Sequence, residues 1–135
     1  MILGDIGSGK TSFLLAILNE MLSDKDARVT VNGRIAYAAQ KAWIMSGSVK
    51  DNITFLSPYD ENKFKKVLHF ASLEQDIKIL PHGVDTEIGE KGINISGGQK
   101  ARIGLARALY SDRDIYFLDD VLSAVDVHVG EYLMR

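Results

Sequence analysis

Gly4-Asp5-Ile6-Gly7-Ser8-Gly9-Lys10-Thr11 is the stretch from which the fold of this chain is read. It fits G-x-x-x-x-G-K-[ST], a loop whose backbone N–H groups can wrap a polyphosphate. Glycines at 4, 7 and 9 permit φ > 0 and let bare backbone approach an anion. Lys10 offers positive charge to β- and γ-phosphate oxygens, and the Thr11 hydroxyl offers a hard oxygen to Mg²⁺. A helix beginning near residue 10 would aim its positive end at the same anion. An ordinary Gly-rich turn before a helix is the plain alternative. The joint spacing of the glycines, Lys10 and Thr11 favours the phosphate-binding loop.

A loop of this kind leaves the carboxyl end of a buried parallel strand. Strands run to about 5–6 residues, yet only Met1, Ile2 and Leu3 precede Gly4. The expectation is therefore a chain that starts inside that strand, as a piece of a larger α/β domain. Residues 12–22 (SFLLAILNEML) are apolar on nearly every face, which suits a helix buried against a sheet. Val29-Thr30-Val31, Asn32-Gly33 and Ile35-Ala36-Tyr37-Ala38-Ala39 read as strand, tight turn and strand. Gln40 then stands at a strand's carboxyl end, where α/β sheets place ligand contacts; by itself it reads more readily as a loop residue than as a catalytic one.

From about residue 46 the pattern turns helical. Asp51-Asn52 followed by Ile53, Phe55 and Leu56 predicts a short helix, and Ser57-Pro58 a cap and first turn for the next one. Phe64, Val67, Leu68 and Ala71 then mark an apolar face, with Lys63, Lys65 and Lys66 mostly on the wet side. Residues 73–80 continue helical until Pro81-His82-Gly83 stops them. His82 reads as a turn residue, because no second ligand sits at metal spacing.

Two later stretches carry chemistry. After a loop at 89–92 (GEKG), Ile95-Ser96-Gly97-Gly98-Gln99 opens a helix running to Tyr110, with Ser96 as its cap. Two glycines in the first turn weaken that helix by roughly 0.8–1.0 kcal/mol each relative to Ala. The pattern fits a capped start without ligand as well as it fits an anion site on bare backbone. Ile115-Tyr116-Phe117-Leu118 is an apolar strand delivering Asp119-Asp120, and downstream of a phosphate loop the first acid of such a pair is placed to hold Mg²⁺.

Composition narrows the classes. At 135 residues the chain is about one domain, and its 46% hydrophobic and 25% charged residues are those of an ordinary globular protein. A net charge of −2 gives no sign of a nucleic-acid or anionic-membrane surface. With no cysteine, disulfides, thiolate metal sites and cysteine catalysis are excluded. No apolar run approaches the ~18 residues of a membrane span, and the N-terminus is unlike a signal peptide.

The order GDIGSGKT, Gln40, ISGGQ, YFLDD, SAVD resembles the nucleotide-binding domain of an ABC transporter over essentially the whole chain. ISGGQ belongs to ABC ATPases and not to P-loop proteins at large. IAYAAQKAWIMSGSVKDNITF and GEKGINISGGQKARIGLARALY are most similar to subfamily C, the multidrug-resistance-associated exporters, and DD followed by LSAVD to the first of their two nucleotide-binding domains. The resemblance implies a P-loop NTPase (RecA-like) core in residues 1–45 and 106–135, incomplete at both ends, with an inserted α-helical subdomain in 46–105. It implies ATP and Mg²⁺ as ligands. Residues 4–11 are then the Walker A loop, with Thr11 on the metal, and Gln40 links Mg²⁺ and the attacking water to the membrane domains. Ser96, Gly97, Gly98 and Gln99 are the signature, which contacts ATP bound to the partner domain. Asp119 is the Walker B magnesium residue, Asp126 the D-loop aspartate, and Trp43 a packing residue at the subdomain junction. The implied partners are a second nucleotide-binding domain, head to tail, and transmembrane domains of the same polypeptide, with no nucleic acid. The implied place is the cytoplasmic face of a membrane.

Departures from the family pattern qualify this. The residue after the Walker B Asp is usually a Glu acting as general base; here it is Asp120. One methylene shorter, its carboxylate falls ~1 Å or more short of a water that needs ~2.6–3.2 Å contact, a misplacement worth on the order of 10²-fold in rate. Val121 replaces a common Pro and Ile95 the usual Leu. The adenine-stacking aromatic is expected before Met1 and the switch histidine after Arg135; His128 is not that histidine. The expectation is an ATPase in the full-length protein, inactive as an isolated 135-residue piece, whose own site is degenerate. A regulatory ATP-binding module of a channel or sensor, or a soluble ABC ATPase, are the alternatives.

Overall fold

The computed structural model describes residues 1–22, 24, 26–89 and 94–124. Its centre is a 14-residue helix, α5 (Gly97–Tyr110), whose Ile103, Leu105, Ala106, Ala108 and Tyr110 are buried. Against one side lie α2 (Val49–Thr54) and α3 (Glu61–Phe70); against another lies the strand β1 (Ile35–Ala38). β1 pairs in parallel with β4 (Ile115–Leu118), in the register Ile35↔Ile115 to Ala38↔Leu118. Two further elements were not foreseen in the sequence: β2 (Gly47–Ser48) and β3 (Glu87–Ile88) form a two-residue antiparallel ladder. A short helix, α4 (Glu74–Ile79), precedes a 3₁₀ turn at Gly83–Asp85.

Local chemistry explains most of the boundaries. α3 shows the expected face, with Phe64, Val67 and Ala71 buried and Leu68 packed against them. Its cap, however, is Asp60, whose Oδ1 accepts from Lys63 N at 2.8 Å, and not Ser57. Pro58 is occupied otherwise: its carbonyl accepts from the Tyr110 hydroxyl, which in turn accepts from Asp60 N, both at 2.8 Å. α2 carries a full capping box, with Asp51 N donating to Ser48 Oγ and Ser48 N to Asp51 Oδ2.

Several expectations are corrected. The first helix, α1, runs only Lys10–Ile17. It stops because Asn19 takes φ 61 and the chain closes a left-handed cap, Glu20 N donating to Leu15 O and Asn19 N to Ala16 O. None of its side chains is buried, and Phe13 is 54% exposed, since no described element covers its outer face. Met1, Ile2 and Leu3 form no strand and are exposed. An extended segment needs a neighbour's backbone to pair with, and the β1–β4 pair ends without reaching them. The hairpin read at 29–39 does not form either: residues 29–31 are not a strand. The edge that a hairpin partner would occupy is not used; β1 instead finds β4, and Asp114 Oδ2 accepts from Arg34 N at 2.8 Å to set that register. Asn32-Gly33 is a bend into β1, with Gly33 at φ +133 and Asp114 too close for an easy side chain.

Candidate active site

The phosphate loop is shaped by two left-handed glycines and one crowded one. Gly7 and Gly9 sit at φ 81 and 91, the region that a Cβ disfavours. Gly4 does not; its constraint is space, because a Cβ there would lie 2.6 Å from Ser8 Oγ. Gly9 is also the residue before α1 and supplies no side-chain cap. The Lys10 ammonium folds back over the loop, donating to the carbonyls of Gly4 and Asp5 at 2.8 Å each and to Ser8 Oγ at 3.4 Å. Residues 4–9, which include Asp5 and Ile6, are exposed, so the loop opens to solvent.

The parallel register then delivers the acids. β4 ends at Leu118, and Asp119 N continues the ladder by donating to Ala38 O at 3.0 Å. Asp119 is 6% exposed, and its Oδ2 accepts from Thr11 Oγ1 at 2.8 Å and from the Tyr37 hydroxyl at 3.4 Å. Burial, reinforced by the Asp119 charge and that hydrogen bond, raises the Tyr37 phenol above its ordinary value. Two residues past the paired ends, Gln40 Nε2 donates to Asp120 Oδ2 at 3.2 Å, both side chains being exposed. Asp120 is left-handed, at φ 54, a conformation that Asp tolerates better than longer side chains. Thr11 is thus brought to Asp119 and Gln40 to Asp120 from opposite ends of the chain.

These residues fit a magnesium polyphosphate. Hydroxyl and carboxylate oxygens are the donors Mg²⁺ takes, usually with only one or two carboxylates and the rest from water and phosphate. The crowding at Gly4 and the open, left-handed backbone at Gly7 and Gly9 leave a cradle that side chains would fill.

The 96–99 turn is built separately. Ser96 caps α5, accepting from Gln99 N at 3.2 Å, while Gln99 Oε1 accepts from Ser96 N at 2.8 Å. Around Gly97 there is nothing within 4 Å of an added Cβ, so its backbone is open. The side-chain hydrogen bonds described for Ser96 and Gln99 run to one another and to α4, through Gln99 Nε2 and Asp76 Oδ1 at 3.2 Å. Asp126 and His128 lie outside the described residues.

Two residues here escaped the sequence reading. Tyr37 carried a signal, an aromatic with a polar tip two positions before a strand's end. Asp76 carried none, since it meets Gln99 only through tertiary packing. Trp43 is 60% exposed and touches Phe55 edge-on with ring centres 5.9 Å apart. Arg107 ties that corner together, donating to Trp43 O, to Asn52 O and to Asn52 Oδ1.

A family model described as ABC transporter matches residues 1–123 of this sequence. The chain belongs to the ABC transporter family. Its similarity lies with subfamily C. It is 55% identical to "ABC transporter C family member 3" of Dictyostelium discoideum over all of its own length and 10% of the relative's. It is 54% identical to "Multidrug resistance protein mrp-7" of Caenorhabditis elegans and 53% to "ATP-binding cassette sub-family C member 2" of Mus musculus, each over 99% of this chain and 9% of the relative. The chain therefore spans about a tenth of the length of these relatives. As an ABC transporter ATP-binding domain it has the P-loop NTPase fold. Among the described residues no helix is long and apolar enough to cross a membrane.

Proposed function

We propose that this chain works as the first of two nucleotide-binding domains of a subfamily C exporter. It would hold Mg–ATP on residues 4–11 and lend its 96–99 turn to the ATP of its partner. The observation that carries the reading is the 2.8 Å hydrogen bond from Thr11 Oγ1 to Asp119 Oδ2. It sets a polyphosphate loop against a buried strand-end carboxylate. Mg²⁺ held there would neutralise charge on the phosphate oxygens.

The chain's own residues then have distinct tasks. Lys10 gives up the Gly4 and Asp5 carbonyls for phosphate oxygens. Thr11 and Asp119 hold the metal, and Tyr37 steadies the Asp119 carboxylate. Asp120 stands where a general base belongs, but on a short side chain tied to Gln40, and proton abstraction from water is accordingly slow. Gln40 transmits the state of this site outward. Ser96, Gly97, Gly98 and Gln99 serve the partner's site, which the open backbone of Gly97 and the start of a 14-residue helix favour.

In this reading residues 46–105 are the helical subdomain, supported by the packing of α2 and α3 on α5, and residues 1–45 and 106–135 belong to the core. Transmembrane domains dock on the corner formed by Trp43, Phe55 and Arg107, beside an open groove of about 370 Å³. Phe55 and Leu56 both take positive φ there, at a cost on the order of 1–3 kcal/mol each, while exposing apolar surface. The domain then sits at the cytoplasmic face of the membrane.

The test uses the full-length protein in membranes and a photoreactive ATP analogue. Lys10→Met and Asp119→Asn should each cut labelling of this domain about tenfold or more, and Ser96→Arg should remove most of the ATPase of the whole protein. Full labelling of Lys10→Met would show that ATP is not held through residues 4–11.

A further inference from the structure

We infer that Asp76, on α4, is the positioning residue of the 96–99 turn, and through it of the partner's nucleotide site; this rests on the reading that the turn serves that site. Asp76 lies 20 residues or more before the turn in sequence and touches no phosphate-loop residue. Its carboxylate nevertheless organises the first two turns of α5. Arg102 Nε donates to Asp76 Oδ2 at 2.7 Å and Arg102 Nη2 to Oδ1 at 2.9 Å, a two-pronged, charge-assisted contact. The two side chains are 21% and 13% exposed, so water screens the pair weakly.

The same Oδ1 accepts from Gln99 Nε2 at 3.2 Å. The other end of that amide, Oε1, accepts from Ser96 N at 2.8 Å, and Gln99 N closes the ring on Ser96 Oγ. Gln99 is therefore held at both ends of its side chain, and one end is anchored on a different helix. A rotation of α4 must pull Gln99, and with it the Ser96 backbone, so the attitude of the turn follows α4. Gly98 belongs to the same device. A Cβ at that position would come 3.3 Å from Arg102 Nη1, so the missing side chain leaves room for the guanidinium that grips Asp76.

A capping box alone fixes the turn relative to α5. The Asp76 link fixes it relative to the rest of the molecule, which matters when the turn must meet a ligand carried by another domain. Small misplacements there are expensive, since about 1 Å can cost on the order of 10²-fold in rate.

The experiment uses the full-length transporter in membranes, a photoreactive ATP analogue and vanadate, with the two nucleotide domains separated by proteolysis after labelling. Asp76→Ala should lower vanadate-dependent trapping at the partner domain by about ten- to a hundredfold, with ATP labelling of this chain's own loop retained. Asp76→Asn keeps the shape and one acceptor for Gln99 but loses the charge, and should show a smaller loss at the same site. Asp76→Glu should recover part of the trapping. Unchanged trapping in Asp76→Ala and Asp76→Asn overturns the inference. So does an equal fall at both domains in the shape-preserving Asp76→Asn, which would make Asp76 merely structural. Ser96→Arg separates the two ideas: if it too leaves trapping intact, the reading of the turn fails and the inference with it. If Ser96→Arg abolishes trapping while the Asp76 variants do not, the inference alone fails.

Discussion

Replacing Asp120 by Glu tests the slow-site idea where the structure makes it quantitative. Asp120 follows the buried Asp119, is exposed, and has its carboxylate tied to Gln40 Nε2 at 3.2 Å. One more methylene advances the carboxylate by about 1.5 Å. If the shortfall of Asp costs on the order of 10²-fold, recovering it is worth about 2.7 kcal/mol of barrier. Part of that gain is lost to the backbone. Asp120 sits at φ 54, and a side chain that cannot bond locally is less at ease there, in a region costing about 1–2 kcal/mol for ordinary residues. The net expectation is roughly a tenfold rise in turnover at this site. The assay is ATPase of the full-length protein with the catalytic acid of the second domain neutralised, so that the residual rate reports this site. If Asp120→Glu changes nothing and Asp120→Asn abolishes the residual rate, Asp120 is already a competent base and the reasoning is wrong.

Three further expectations concern the frame that holds the site, each read as the midpoint of chemical unfolding. Gly104→Ala would put a Cβ 2.9 Å from that of Ala42, at the seam between α5 and the segment after β1, and should cost about 1–3 kcal/mol as overpacking; an unchanged midpoint would mean the seam is loose. Asn52 is fully buried and bonds to Met45 N, Met45 O, Ser48 O and Arg107, so Asn52→Ala should cost about 3 kcal/mol or more; a loss below about 1 kcal/mol would contradict that bonding. Asp51 is held below its ordinary pKa by the Ser48 hydroxyl and then by the Ser48 backbone N–H. A depressed carboxylate stabilises the fold above its unfolded value and ceases to as pH falls through the folded one. Acidification through the aspartate range should therefore weaken the wild type more than Asp51→Asn, and equal pH slopes would exclude a role for this cap.

Legibility in the sequence followed the range of the interactions. α5 and its Ser96 cap, α3 and its apolar face, and β4 with its terminal acids could all be read, because capping and periodicity act within a few residues. The hairpin at 29–39 was misread because turn chemistry at Asn32-Gly33 is local, whereas β1 chooses a partner some 80 positions later through Arg34 and Asp114. β2 and β3 are two residues each, too short for any pattern. Ser57-Pro58 looked like a cap, but Tyr110 takes the Pro58 carbonyl and leaves capping to Asp60. In the candidate site, the loop and Asp119 were legible as motifs. The contacts of Tyr37 and Asp76 exist only once β1 meets β4 and α4 meets α5.

The central claim is that this domain grips ATP without spending it while its 96–99 turn serves the partner. The most direct measurement is the chemical state of the nucleotide. Full-length protein is allowed to turn over a photoreactive ATP analogue labelled on its α-phosphate, and is then cross-linked and split into its two nucleotide domains. Intact triphosphate is expected on this chain and diphosphate on the partner. Diphosphate recovered in equal proportion from both domains would contradict it.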